Sequence, residues 1–186
     1  MFIQTEPTPN PATLKFIPGK TVLGDGTVDF RDKSEATASP LAQRLFGVDG
    51  VTGVFLGSDF ISVTKSEGDE WQHIKPAILG AIMEHYMSGA PTIDDGETTG
   101  EELPGQYDAK DEDTVKTIKE LLDTRVRPAV ANDGGDIVFQ GFKDGIVFLH
   151  MRGACSGCPS STATLRHGIE NLLKHFCPDV QEVRPV

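Results

Sequence analysis

Between residues 94 and 113 the chain carries nine acidic side chains (Asp94, Asp95, Glu97, Glu101, Glu102, Asp108, Asp111, Glu112 and Asp113) against Lys110 alone. The same run holds Gly96, Gly100, Pro104 and Gly105 and almost nothing apolar. Such a segment cannot bury enough hydrophobic surface to offset the entropy of ordering it, and its like charges hold it extended. It keeps the flanking stretches of this 186-residue chain apart, so each is expected to form its own compact unit. The expected organisation is a first domain over 1–91, an acidic flexible linker over 92–110 and a second domain over 111–186.

The linker also accounts for the charge. Of a formal net charge of −11, residues 94–113 supply −8 and all the others −3, an ordinary surface value. No basic face is offered to a phosphate backbone, which argues against nucleic acid as a partner. A hydrophobic fraction of 38% is adequate for packed cores. No stretch approaches the roughly 20 apolar residues that span a bilayer, so a soluble chain with no membrane partner is expected. Three cysteines do not make a disulfide framework, which points to a reducing compartment. The opening MFIQTEPTPNP has no basic region followed by an apolar run and is not Arg-rich, so no address is read there. A bacterial cytoplasm is the expected location, with the mitochondrial matrix as the alternative for a mature, processed form.

Along the first domain, three prolines between Thr5 and Pro11 demand extended backbone, and a strand follows over Ala12 to Ile17. Ser39 and Pro40 signal a helix start, Leu41, Leu45 and Phe46 give one apolar face, and Gly47 is the stop. Val51 to Leu56 and Phe60 to Thr64 read as a hairpin, and Ile74, Ile78 and Ile82 as the stripe of a helix running to about Tyr86. In the second domain a helix capped by Asp111 or Asp113 runs through Val115, Ile118, Leu122 and Val126. Pro128 should bend it, and Asn132-Asp133-Gly134-Gly135 should end it. Strands Ile137 to Phe142 and Ile146 to Met151 flank a three-residue turn, Lys143-Asp144-Gly145. Leu165, Ile169, Leu172, Leu173 and Phe176 mark a further helix, and Val180 to Val183 a short returning strand. The fold class expected is α+β: two small mixed domains, the second running helix-strand-strand-helix-strand.

The chemistry concentrates in Gly153-Ala154-Cys155-Ser156-Gly157-Cys158-Pro159, between a strand and a helix. Free backbone N–H groups and the positive end of a helix dipole favour thiolate over thiol, and Arg152 adds a positive charge, so both cysteines should be better ligands than a free thiol. Two thiolates complete neither a zinc site nor a cubane cluster, each of which commonly takes four protein ligands. By spacing alone a lone CxxC is divided among redox, zinc and cluster roles.

The run from Leu122-Asp123-Thr124-Arg125-Val126-Arg127-Pro128 through Asp133-Gly134-Gly135-Asp136-Ile137 to the cysteine loop and Ser160-Ser161 resembles the C-terminal domain of NifU, over residues 111–186. The opening Gln4-Thr5-Glu6-Pro7-Thr8-Pro9-Asn10-Pro11, with Leu14-Lys15-Phe16, is similar to the N-terminal domain of Nfu-type iron–sulfur scaffold or carrier proteins. The resemblance implies that Cys155 and Cys158 are the cluster and metal ligands, and that two chains each donate the pair to one [4Fe–4S] cluster at a homodimer interface. It further implies a carrier rather than an enzyme, loaded by upstream cluster-assembly proteins and delivering to apo iron–sulfur proteins. The first domain is then expected to help dock those recipients.

Other features carry less. A thioredoxin-like dithiol oxidoreductase would use the same cysteine pair at a helix start, but the neighbouring elements lack the expected βαβ unit. A structural zinc module is the third reading. Cys177, beside Phe176 and Pro178, is expected to be a small buried thiol. His167 and His175 are eight apart on one helix, too far to share an ion. Asp133-Gly134-Gly135-Asp136 lacks both a P-loop lysine and alternating oxygen ligands, and reads as a helix stop leading into a strand.

Overall fold

A computed structural model describes residues 1–94, 105–156 and 159–186. Most of the expected linker, 95–104, and Gly157 and Cys158 of the cysteine loop lie outside them. The chain divides into two compact units, Met1–Gly100 and Glu101–Val186, each with its own apolar core.

In the first unit the proline-rich opening forms strand β1 (Gln4–Pro7), an edge strand where a missing N–H is tolerated. It pairs with β2 (Thr13–Ile17); β3 (Val28–Phe30), helix α1 (Pro40–Phe46), the hairpin β4 (Val51–Leu56) and β5 (Ile61–Lys65), and helix α2 (Trp71–Ser88) follow. The sheet is antiparallel throughout, in the order β1-β2-β5-β4-β3. Leu41 and Leu45 of α1 and Ile74, Ile78 and Ile82 of α2 share a buried cluster with Phe16, Val54, Leu56, Ile61 and Val63 of the strands. Burying one such side chain contributes roughly 1.5–3 kcal/mol. The Ser39 hydroxyl caps α1 by accepting from the Ala42 N–H at 3.1 Å and donates to the Thr92 carbonyl at 2.6 Å. Asp94 N–H also donates back to Ala38, at 2.8 Å.

The second unit opens with β6 (Gln106–Tyr107), then α3 (Glu112–Leu121), a π-helical turn (Leu122–Val126), α4 (Arg127–Asn132), β7 (Gly135–Lys143), β8 (Ile146–Gly153), α5 (Pro159–Phe176) and β9 (Glu182–Pro185). Its sheet order is β6-β7-β8-β9. Strands β7 and β8 form the antiparallel hairpin, whereas β6 on β7 and β9 on β8 are parallel. Val115, Ile118, Leu122, Val126 and Val130 of the helical run, with Ile169 and Leu173 of α5, share one buried cluster with Ile137, Phe139, Val147, Leu149 and Val183 of the strands.

Four local details differ from the sequence reading. The turn between β7 and β8 has two residues, Asp144 and Gly145, because both take positive φ (53° and 79°) and Lys143 still pairs with Ile146. The bend expected at Pro128 is replaced by the π turn, in which the Arg127 N–H reaches the Leu122 carbonyl and the helix passes a residue that cannot donate. No side-chain cap bond comes from Asp111 at the start of α3. Finally, β8, α5 and the parallel β9 do constitute a βαβ unit, so that objection to an oxidoreductase is withdrawn.

Candidate functional site

Strand β8 alternates buried Val147, Leu149 and Met151 with half-buried Phe148, His150 and Arg152, so it arrives at the cysteine loop with one face locked in the core. It ends at Gly153, whose φ of 65° suits glycine and turns the chain out of the sheet. The loop is then tied in several places. Ser156 donates from both its N–H (3.1 Å) and its hydroxyl (2.9 Å) to the Gly153 carbonyl. Thr162, in the first turn of α5, donates its hydroxyl to the Cys155 carbonyl at 3.1 Å.

The loop rests on a second one. Ala154 N–H donates to the Gly134 carbonyl at 3.2 Å. At Gly135 a Cβ would lie 2.7 Å from the Arg152 carbonyl oxygen, 2.7 Å from the Cys155 sulfur and 3.1 Å from the Cys155 nitrogen. Only a glycine backbone leaves room for the sulfur there. Asp133-Gly134-Gly135-Asp136 is therefore the seat of the cysteine loop as well as a helix stop. Two adjacent glycines at the head of a buried strand were the available signal, since a helix stop requires one.

Asp136, 3% exposed, is the second residue of β7 and is held by a two-point ion pair: Arg127 Nε and Nη2 each donate to its carboxylate at 3.0 Å. Its Oδ1 also accepts the Ile137 N–H at 2.8 Å, and Arg127 Nη1 reaches Asp123 at 3.1 Å. This network was not read from the sequence. An Asp and an Arg four apart on a helix were visible, but not the strand carboxylate they converge on.

Cys155 is 7% exposed and belongs to the apolar cluster that includes Val130, Ile137 and Met151. Burial, followed by the Asp133 and Asp136 carboxylates, pushes its thiol up to about 12. The expected thiolate is thus disfavoured in the free chain, because desolvation and two negative neighbours outweigh the helix terminus. Arg152 stands opposite Asp136 in the β7–β8 ladder. Cys158 lies outside the described residues, so its relation to Cys155 is not on view. Cys177 is 5% exposed at the end of α5, where its N–H donates to Leu173 at 2.7 Å, in accord with a packing role. His167 and His175 are both exposed. Among the described residues no group of three or more His, Cys, Asp or Glu could hold a metal ion, and no helix is long and apolar enough to cross a membrane. A cleft of about 590 Å³ on the second unit is lined, among the described residues, by Gln106, Gln140, Lys143, Phe148 and Val186 and by none of the cysteine loop.

The chain thus has two mixed α and β units, the second holding Cys155 in a loop seated on a Gly-Gly turn. Residues 3–89 match the family described as scaffold protein Nfu/NifU N terminal, and residues 118–184 match the NifU-like domain. The chain is 50% identical over its whole length to the NFU1 iron-sulfur cluster scaffold homolog, mitochondrial, of Drosophila sechellia, spanning 65% of that protein. Against the protein of the same name from Homo sapiens it is 48% identical and spans 72%. A solution structure of a NifU-like protein from Saccharomyces cerevisiae aligns with a TM-score of 0.46 at 27% identity, over 51% of this chain and 86% of that one. The chain belongs to the Nfu/NifU scaffold family. It spans about two thirds of the length of the Drosophila relatives.

Proposed function

We propose that this chain carries an iron–sulfur cluster on Cys155 and Cys158 and passes it to apo-proteins. Its relatives are named as iron–sulfur cluster scaffolds, and the observation that favours the loop as the binding place is the Gly135 seat, which accepts a cysteine sulfur where no side chain fits. In this reading the cluster is [4Fe–4S] and is bridged between two chains, since one CxxC supplies two of four ligands. The cluster is cargo and no small-molecule substrate is turned over. Upstream assembly proteins load it and apo iron–sulfur proteins receive it. The mitochondrial names of the relatives favour the matrix over the bacterial cytoplasm.

The raised Cys155 thiol speaks against a dithiol oxidoreductase, whose attacking cysteine is exposed and has a lowered pKa. It is compatible with cargo binding, because metal uptake drives deprotonation of its ligands. Anaerobic reconstitution with iron and sulfide, read by iron and sulfide counts and by mass from light scattering, tests the proposal. Four irons and four sulfides per two chains are expected, and Cys155→Ser or Cys158→Ser should abolish binding while circular dichroism is retained. A double variant that still holds a full cluster would refute these ligands. A colourless chain that loses structure to a chelator would return the reading to zinc.

A further inference from the structure

We propose that Arg127 is a positioning residue for the cluster: through its two-point ion pair with Asp136 it fixes the Gly134-Gly135 turn on which the Cys155 sulfur and backbone rest. The inference rests on Cys155 being a cluster ligand.

A continuous chain of contacts carries it. Arg127 Nε and Nη2 grip both carboxylate oxygens of Asp136 at 3.0 Å, which fixes that carboxylate in angle as well as distance. The next residue back, Gly135, lies where even a methyl group would strike the Cys155 sulfur and the Arg152 carbonyl. One further back, Gly134 accepts the Ala154 N–H. Movement of Asp136 would therefore pass directly to the backbone that seats Cys155. Arg127 is itself held in place: its N–H closes the π turn on Leu122, and Nη1 binds Asp123 at 3.1 Å. The π turn also keeps Val126 and Val130 in the core, 6% and 1% exposed, on either side of Arg127. Lysine cannot reproduce that two-point fork, so Arg127→Lys keeps the charge and removes the orientation.

Three variants of the full chain separate positioning from stability: Arg127→Lys, Arg127→Met and, as a control in the same helix, Val130→Ala. Each is reconstituted as above, and three quantities are measured: cluster release to a ferrous chelator, visible circular dichroism of the bound cluster, and the thermal midpoint. In parallel, the cluster-free chain is alkylated with iodoacetamide and Cys155 is read by peptide mapping. Arg127→Met should release its cluster about tenfold faster or more, the usual consequence of removing a group that orients a metal ligand, with Arg127→Lys between it and the wild type. Both should alter the visible spectrum and speed Cys155 alkylation beyond what Val130→Ala does at an equal fall in midpoint. If Arg127→Met does not fold, Arg127→Lys carries the same comparison. Release and alkylation that track the thermal midpoint alone, on one line with Val130→Ala, would overturn the positioning role. A wild-type chain that takes up no cluster would instead overturn the cluster reading beneath it, before any variant is compared.

Discussion

Two glycines show how differently the same residue acts in this molecule. A Cβ on Gly135 would meet the Arg152 carbonyl and the Cys155 sulfur at 2.7 Å, and the first of these is backbone that cannot swing aside. Gly135→Ala should therefore cost about 1–3 kcal/mol in urea denaturation, as overpacking does, and displace the cysteine loop so that reconstitution fails. On α5, a Cβ on Gly168 meets nothing within 4 Å, so Gly168→Ala should gain up to about 1 kcal/mol from helix propensity with cluster content unchanged. Cys155 provides a second residue-scale test. Its thiol titrates near 8.5 when unfolded and is pushed up to about 12 when folded, so between those values the native chain holds the proton and the unfolded chain has lost it. Stability contributed by the buried thiol is complete below the unfolded value and falls as pH rises, by at most about 1.4 kcal/mol per pH unit. The urea midpoint of the cluster-free wild type should accordingly fall more steeply above about pH 8.5 than that of Cys155→Ala. Parallel curves would mean that the sulfur is solvated in solution.

The hydroxyl of Ser39 joins two elements at once. It is fully buried, caps α1 through Ala42 and donates to Thr92 beyond the end of α2, so Ser39→Ala should destabilise the first unit by about 1–2 kcal/mol, read as a lower denaturation midpoint. The cap itself was legible, because Ser-Pro before an apolar stripe leaves few alternatives, whereas the bond to Thr92 spans 53 residues and has no local signal. The same contrast runs through the other elements. The β4–β5 hairpin and α2 follow their apolar periods closely, and α5 does so from Leu165 to Leu173, since each turns one face to a core, whereas Phe176 at the end of the α5 stripe is exposed. Strands β3 and β6 went unread because three and two residues are too few to show alternation. The returning strand was expected over Val180 to Val183 and forms as Glu182–Pro185, since Gln181 first donates back to the Gly145 carbonyl at 2.7 Å. At the site, the CxxC loop between a strand and a helix was clear from spacing. Its seat and the Arg127–Asp136 pair were not: the seat depends on β7 and β8 lying side by side, and the pair on how α4 packs back against β7.

For the whole chain, the apolar cluster of the first unit and that of the second share no residue. Ile82 and Leu149 are each fully buried, one in each cluster. Truncating either to alanine should cost about 2–5 kcal/mol, but only within its own unit. Calorimetry of the full chain should then resolve two transitions rather than one cooperative event, with Ile82→Ala lowering one and Leu149→Ala the other. Reconstitution adds a second coordinate, for if the cluster binds at the β8–α5 loop, Leu149→Ala should reduce cluster retention on warming while Ile82→Ala leaves it unchanged. A single transition moved equally by both substitutions would show that the units fold as one body, and the first unit would then have to be treated as part of the cluster site's stability.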